Sequence, residues 1–327
     1  MRNFLKLMVC PKCKGESWTV KEINKQDKIV ICNACKSWYI CEEGILELLN
    51  DEINQSRKVI FFNKHEKKMR MWKVKYSKKN GEDEETKQKK AQMKFFNEFS
   101  SEYVLETQNF WRAYYSLFFD EVFPRIKKRS CILDVGCGTG LGSMPFLNKE
   151  YVVIGVDISR EMVKKATSRI PQGLRQRHYF FVADVENLPF KKELFDSAIG
   201  MGIMHHVHNV QKMADAVMKC LKKDGSYFGH ENNKTVLRPL FDILMKICTL
   251  WHEEAGEEQL LSKEDLQKAF KRCKIKAKTH VFIPPHMLNY MKIRSAKKIL
   301  KTTDKIASKI PGIRNNGGTI IFEAQKY

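Results

Sequence analysis

The fold is decided by the stretch Cys131-Ile132-Leu133-Asp134-Val135-Gly136-Cys137-Gly138-Thr139-Gly140. In this stretch an apolar run ends in a carboxylate, and glycines then occupy every second position as far as Gly142. Because glycine has no Cβ, a loop of this kind lets another group approach the backbone closely. The stretch therefore predicts a buried strand that ends in a ligand-binding loop.

Dinucleotide-binding folds also use a glycine-rich loop, so the loop alone leaves two ligand classes open. Their pattern G-x-G-x-x-G needs a small residue at its last position, where a helix packs closely on the strand. Counted from Gly136, that position holds Leu141; counted from Gly138, it holds the small Ser143. The choice between the two classes depends on the residues that follow.

Two further apolar runs downstream also end in an aspartate. Residues 151–156 precede Asp157, and residues 178–183 precede Asp184. Such runs are typical of buried parallel strands, and ligands of open α/β sheets bind outside the carboxyl ends of the strands. Asp157 follows Asp134 by 23 positions, close to the offset of about 20 at which an acidic side chain meets a ribose. We expect the three aspartates to line one pocket.

The order of these segments resembles the class I S-adenosylmethionine (SAM) methyltransferases. The resemblance implies an α/β fold with a doubly wound, seven-stranded Rossmann-like sheet, closed by an antiparallel strand at residues 318–324. It also implies that Met162 packs on the adenine, that Asp184 accepts from its amino group and that the Val185 backbone donates to its ring. The predicted cofactor-binding residues are Asp134, Gly136, Cys137, Gly138, Gly140, Asp157, Ile158, Met162, Asp184, Val185 and Met201.

Candidate catalytic residues follow the fourth and fifth strands of this sheet. His205 and His206 can remove a proton near neutral pH, and Glu231 is a further candidate base. Neither an Asp/Asn-Pro-Pro-Tyr motif nor a Pro-Cys follows the fourth strand, which argues against methylation of exocyclic base amines or of cytosine C5. The loop at 205–209 resembles the group that methylates small molecules, quinones and lipid- or sugar-linked intermediates.

The N-terminal residues carry two C-x2-C pairs, Cys10/Cys13 and Cys32/Cys35. This spacing is typical of a zinc ribbon, in which four thiolates hold one Zn²⁺. A redox-active C-x-x-C would explain one pair and leave the other unexplained. The first fifty residues also resemble the zinc-ribbon activators of tRNA and release-factor methyltransferases. Three roles stay open for the ribbon: RNA binding, docking of a protein partner, and a purely structural one.

Composition and motifs together predict three parts of the chain. Residues 1–50 form the ribbon, residues 51–94 form a charged, solvated linker, and residues 95–327 form the methyltransferase domain. We expect the linker to leave the two domains loosely packed, or joined through aromatic helices. Within the large domain we predict lead-in helices at 95–129, with Tyr103 and Trp111 near the pocket, and substrate-lid insertions at 232–262 and 284–316.

The formal net charge of +21 favours a polyanionic partner. RNA and an anionic membrane surface are both candidates, whereas a general bias toward lysine would explain the charge without any partner. The sequence shows no transmembrane segment and no signal-peptide pattern, so we predict a cytoplasmic protein. The predicted activity is methyl transfer from SAM to a small-molecule or lipid- or sugar-linked metabolite, and the alternative is methylation of rRNA or tRNA.

Overall fold

The computed structural model describes residues 2–75, 82–100, 109–148, 150–235, 260–281, 283, 288–313 and 316–327. Tyr103 and most of the insertion at 232–262 lie outside the described residues, as does the side chain of Trp111. No helix among the described residues is both long enough and apolar enough to cross a membrane.

The strands of the described residues form one mixed sheet. In chain order they are β1 (Trp18–Glu22), β2 (Lys28–Cys32), β3 (Trp38–Glu42), β4 (Ile45–Leu48), β5 (Cys131–Val135), β6 (Val152–Asp157), β7 (His178–Ala183), β8 (Phe195–Met201), β9 (Leu221–Asn232), β10 (Cys273–His280) and β11 (Thr319–Lys326). Their spatial order is β1-β2-β3-β4-β7-β6-β5-β8-β9-β11-β10.

The α-helices of the described residues are numbered in chain order. They are α1 (Arg2–Leu5), α2 (Asp51–Lys64), α3 (Glu66–Met71), α4 (Glu84–Phe99), α5 (Asn109–Val122), α6 (Arg160–Ser168), α7 (Val210–Cys220), α8 (Lys263–Ala269) and α9 (Ile293–Ala307).

Strands β5 to β11 form the predicted seven-stranded sheet. The neighbouring strands β7, β6, β5, β8 and β9 run parallel to one another. Strand β11 is antiparallel to both β9 and β10. In the middle of the sheet Leu133 pairs with Ile154 on one side and with Ala198 on the other, and all three are fully buried. Continuous apolar runs form these strands because helices cover both faces of a parallel sheet. The predicted fold class is confirmed.

The N-terminal hairpins continue this sheet instead of forming a loosely packed unit. Strand β4 runs parallel to β7, with Glu47 paired to Val182 and Leu48 paired to Ala183. The expectation of loose packing was wrong, because β7 would otherwise present an unpaired edge and β4 covers it.

The segment predicted as a solvated linker is largely helical. Phe61 of α2 and Met69 of α3 are fully buried in a core that they share with Trp38 of β3. Lys58 is also buried; its ammonium donates to Asp51 at 2.5 Å and lies 4.7 Å from the centroid of the Trp38 ring. The many lysines and glutamates suggested solvation, but the long lysine stems pack on apolar surface and the charges pair. The domain limits at residues 50 and 94 stay predictions.

Helix α9 belongs to the second predicted lid insertion, and it packs on α5. Ala296 and Leu300 of α9 meet Ala113, Tyr114 and Leu117 of α5 in one buried cluster. The Tyr114 hydroxyl extends this contact by donating to the Val281 carbonyl at 2.8 Å. The described part of this insertion therefore packs on α5.

Candidate functional site

A cavity opens where β5, β6, β7 and β8 end, as expected for an open α/β sheet. The glycine loop after β5 forms its floor. Gly136 and Gly138 line the cavity with φ angles of +69° and +50°, a region that favours glycine. A Cβ on Gly136 would come within 2.4 Å of Ile203, whereas one on Gly138 would meet no atom within 4 Å. The loop therefore leaves space above Gly138 for a ligand.

Asp157 ends β6 and lines the cavity. Its carboxylate accepts from the backbone N–H of Gly138 at 2.9 Å and of Ser159 at 2.8 Å. Burial raises its pKa to about 6, although these hydrogen bonds act in the opposite direction. Ser159 caps α6, accepting from the Met162 N–H at 3.2 Å. Asp157 is thus fixed by backbone donors, and each of its oxygens retains a lone pair for a ligand hydroxyl.

Asp134 lies behind the glycine loop and does not line the cavity. It is buried and accepts from the Ser143 hydroxyl at 2.6 Å. Burial raises its pKa to about 7, and the nearby charge of Asp157 acts in the same direction. Its position suits a role in holding the loop rather than in contacting a ligand.

Asp184 directly follows β7, and a lysine from α4 neutralises it within the cavity. Lys89 is only 7% exposed. Its ammonium donates to Asp184 at 2.8 Å and to Glu85 at 2.7 Å, and it lies 3.4 Å from Glu186. Burial alone would lower the pKa of Lys89, but the neighbouring carboxylates raise it above its ordinary value. Lys89 therefore remains charged and ties α4 to the end of β7.

Helix α4 forms the wall opposite the strand ends; most of it lies in the segment predicted as a linker, and only its end, with Phe96, lies in the predicted lead-in helices. Besides Lys89 it contributes Gln88, Gln92 and Phe96. Gln88, Gln92 and Phe96 follow one another at intervals of four residues, so they share one face of the helix. That spacing was the available signal, but the charged residues around it pointed to a linker.

The predicted catalytic residues occupy different positions. His206 lines the cavity, and its ring meets Phe96 edge-on with centroids 5.1 Å apart. His205 and Glu231 are buried outside the cavity lining, with His205 Nδ1 at 2.8 Å from one Glu231 oxygen. The other Glu231 oxygen accepts from the backbone N–H groups of Ile203 and Met204 at 2.9 and 2.8 Å. Glu231 thus holds the loop that carries the histidines.

Most of the predicted cofactor-binding residues come together. Cys137 is instead buried in the core beside α6, and Gly140 packs against Ala166 of that helix. His208, which was not predicted, lines the cavity with its Nδ1 2.6 Å from the Gln88 side-chain oxygen. The predicted residues that line the cavity are Gly136, Gly138, Asp157, Ile158, Met162, Asp184, Val185 and Met201.

The four predicted metal ligands form one cluster. The sulfur atoms of Cys10 and Cys35 are 3.7 Å apart, those of Cys13 and Cys32 are 3.6 Å apart, and the four sulfurs lie within 4.8 Å of one another. A tetrahedral site with Zn–S bonds of about 2.3 Å has S···S edges of about 3.8 Å. The donor set and spacing therefore fit Zn²⁺.

The N-terminal unit contacts the start of α6, the helix that follows Asp157. Arg160 begins α6 three residues later, and its guanidinium donates to Glu47 of β4 at 3.1 Å. Arg57 of α2 donates to the same Glu47 side chain at 2.8 Å and to Glu42 at 2.6 Å. Glu47 is buried, so its two arginine partners compensate a costly charge. The network joins the N-terminal unit to the cofactor side of the sheet.

Comparisons with known proteins agree with this geometry. Residues 132–225 match the family described as "Methyltransferase domain". The ubiquinone/menaquinone biosynthesis C-methyltransferase of Wigglesworthia glossinidia brevipalpis is 32% identical over 124 residues, which are 37% of this chain and 48% of that protein. The tRNA (carboxymethyluridine(34)-5-O)-methyltransferase of Arabidopsis thaliana is 30% identical over 136 residues, 41% of this chain and 27% of that protein. The chain thus spans half or less of the length of these two relatives.

A solved structure extends the likeness beyond the matched segment. A SAM-dependent methyltransferase of Thermotoga maritima, described as a possible histamine N-methyltransferase, superposes with a TM-score of 0.50 at 19% identity. The superposition covers 72% of this chain and 100% of that one, and at this identity it speaks for the fold alone. Residues 132–225 thus match a methyltransferase-domain family, and the chain shares its fold with a solved SAM-dependent methyltransferase.

Proposed function

We propose that this protein transfers a methyl group from SAM to a small-molecule or lipid- or sugar-linked acceptor. The observation that carries the proposal is the cavity itself. Its floor is the glycine loop, Asp157 and Asp184 lie on one side, and His206 lines it beside the α4 wall. The activity of the whole chain and the identity of its acceptor are both part of the proposal.

The cavity residues fit SAM. The open space above Gly138 admits a ligand close to the backbone. Asp157 would accept hydrogen bonds from the ribose hydroxyls, and the buried side chains of Met162 and Val185 would contact the adenine. Asp184 has one oxygen engaged by Lys89 and the other by the Glu186 N–H. An adenine amino group would have to share these acceptors, which still have free lone pairs.

Bound SAM supplies an electrophilic methyl group on a sulfonium. The chain's own residues would orient the donor and acceptor and exclude water. Phe96, Ile158 and Met201 supply apolar surface for that exclusion. His206 can accept a proton from the acceptor at a ring nitrogen, if that acceptor carries one. Through the loop, Glu231 and His205 would act as positioning residues for His206.

With α4 as one wall, the described part of the cavity leaves less room for a folded RNA than an open cleft would, which favours a small acceptor or the exposed end of a larger one. The alternative, RNA methylation, is supported by the +21 charge and by similarity to the tRNA methyltransferase. Similarity to the quinone-pathway enzyme supports the small or lipid-linked acceptor.

We further propose that Cys10, Cys13, Cys32 and Cys35 hold a structural Zn²⁺. The four cysteines come from two separate segments, residues 10–13 and 32–35, so a metal that joins them would contribute to the folding of the N-terminal unit. The Tyr39 hydroxyl lies 3.0 Å from Cys10 Sγ and can donate to the thiolate. The alternatives to a purely structural role are that this unit binds RNA or docks a protein partner.

The decisive experiment incubates the protein with methyl-labelled SAM and a cell extract separated into RNA, lipid and small-molecule pools. We expect label in the lipid or small-molecule pool, and loss of that label in Asp157→Ala. Asp215→Ala, on the exposed side of α7, is the matched control and should leave labelling unchanged. Label only in RNA would establish the alternative acceptor, and label in no pool would contradict the proposed activity.

A further inference from the structure

The outer face of α9 and the turns that follow it carry a row of cations. Arg294, Lys298, Lys305 and Lys309 are exposed. The spacing of Arg294, Lys298 and Lys305 places them on one side of the helix, opposite Ala296 and Leu300, which are buried against α5, and Lys309 lies in the turn that follows. The row therefore faces away from the domain.

The nearby carboxylates are already engaged elsewhere. Asp120 of α5 pairs with Lys297 at 2.8 Å and with Lys301 at 2.6 Å. Asp304 of α9 accepts from His280 Nδ1 at 2.5 Å and from the Val281 N–H at 2.7 Å. Within the described residues, no carboxylate lies at ion-pair distance from the four cations of the row. The outer face thus has a local positive charge.

Three exposed isoleucines lie at the C-terminal end of α9 and in the turns that follow it, next to Lys305 and Lys309 in the chain. Ile306 is 57% exposed, Ile310 is 42% exposed and Ile313 is 38% exposed. Consecutive turns connect them, with the Ile310 N–H donating to Ala307 and the Ile313 N–H donating to Ile310. Exposed aliphatic groups repeated within eight residues form a patch that tends to be covered by a partner.

We propose that this surface, Arg294–Ile313, docks on an anionic lipid surface. Cations on a helix together with protruding aliphatic side chains match the interfacial region of a bilayer. The lysines would approach the lipid phosphates while the isoleucines enter the boundary between headgroups and acyl chains. Nucleic acid would satisfy the lysines but would leave the isoleucines in water, so charge and apolar surface together favour the lipid.

This docking goes beyond the proposed methyl transfer and does not depend on it. The surface lies on the α5 side of the domain, and none of its residues lines the cavity. Docking would place the protein at the site where a lipid-linked acceptor resides. A loss of docking without a loss of SAM binding would therefore distinguish this inference from the proposed function.

Flotation of the full-length protein with vesicles tests the proposal. Vesicles of phosphatidylcholine mixed with phosphatidylglycerol should carry the protein, and vesicles of phosphatidylcholine alone should not. The triple variant Lys298→Gln/Lys305→Gln/Lys309→Gln should lower binding by about tenfold or more. The triple variant Ile306→Ser/Ile310→Ser/Ile313→Ser should do the same. All the altered side chains are exposed, so SAM titration should report an intact fold.

The matched control is Lys25→Gln/Lys67→Gln/Lys223→Gln, which removes the same charge from exposed positions elsewhere. It should leave flotation nearly unchanged. A separate variant, Ile310→Trp, introduces a tryptophan whose fluorescence emission should shift to shorter wavelength when anionic vesicles are present. Equal binding of the α9 lysine variant and the control would overturn the proposal, as would full binding by the isoleucine variant. Tighter binding to an RNA oligonucleotide than to vesicles, lost in the α9 lysine variant, would also overturn it.

Discussion

The two walls of the cavity are built in different ways. The strand-end wall consists of backbone at Gly136 and Gly138 and of Asp157, whose carboxylate is fixed by backbone N–H groups. The α4 wall consists of side chains from one helix, secured at the cavity by Lys89. The first wall inherits the rigidity of a buried parallel sheet, whereas the second depends on ion pairs. We infer that the strand-end wall determines whether SAM binds, and that the α4 wall determines how tightly the site is closed.

The largest expected effect comes from removing one of the four clustered cysteines, because the N-terminal unit that they hold together joins the main sheet through the pairing of β4 with β7. Cys32→Ser should lose zinc and soluble protein together, since the metal contributes to the folding of the N-terminal unit. Metal analysis and the soluble yield measure this. Cys273→Ser, a partly exposed cysteine of β10, is the control and should keep both. Retention of one zinc and of full solubility by Cys32→Ser would mean that the four thiolates do not form the site.

The next effect tests the strand-end wall directly. Asp157→Ala should weaken SAM binding by about 10- to 100-fold, because a hydrogen bond to a charged group contributes about 1.5–3 kcal/mol. Titration calorimetry measures this against Asp215→Ala as control. An unchanged dissociation constant for Asp157→Ala would remove this residue from the site.

A smaller effect is expected at the α4 wall. Lys89→Met leaves Asp184 and Glu186 without their buried cation, so α4 should detach from the end of β7. Amide hydrogen exchange in α4 should accelerate, and SAM binding should weaken less than in Asp157→Ala. Lys87→Met removes an exposed lysine from the same helix and should change neither quantity. If Lys89→Met weakens SAM binding more than Asp157→Ala does, the proposed ranking of the walls is wrong.

The last effect acts on folding stability rather than on SAM binding, and it concerns the charge behind the glycine loop. The pKa of Asp134 is about 7 in the folded protein against 3.8 for an exposed carboxyl. The folded state therefore binds this proton more tightly, and the free energy of unfolding should fall as pH rises from about 4 to about 7. Asp134→Asn removes this contribution. Urea unfolding at both ends of that range should show a smaller pH dependence in the variant; an equal dependence would contradict the raised pKa.

The strand-end wall could be predicted because its signal is local and continuous. Each of β5, β6 and β7 is an apolar run, and the residue that closes or follows it is an aspartate or a glycine. Asp134 was the exception. Its position at the end of β5 resembles that of the other two aspartates, but Ser143 and the glycine loop cover it.

The sequence carried a signal for the helical face of α4, but it could not show that α4 closes on the end of β7 or that β4 pairs with β7. Both depend on contacts between residues far apart in the chain, such as Lys89 with Asp184 and Leu48 with Ala183. Local composition pointed the other way, because a segment rich in lysine and glutamate is typical of solvated connections. Lys89 can be buried because carboxylates neutralise its charge, and those from distant parts of the chain come close to it only in the folded protein.

We propose that SAM is held between the two walls of the cavity. Hydrogen exchange of the full-length protein with and without S-adenosylhomocysteine measures this. We expect slower exchange in residues 136–140 and in α4 at the same ligand concentration, with no such change when NAD is added instead. Protection of the glycine loop without α4, or protection by NAD, would show that SAM is not held in this way.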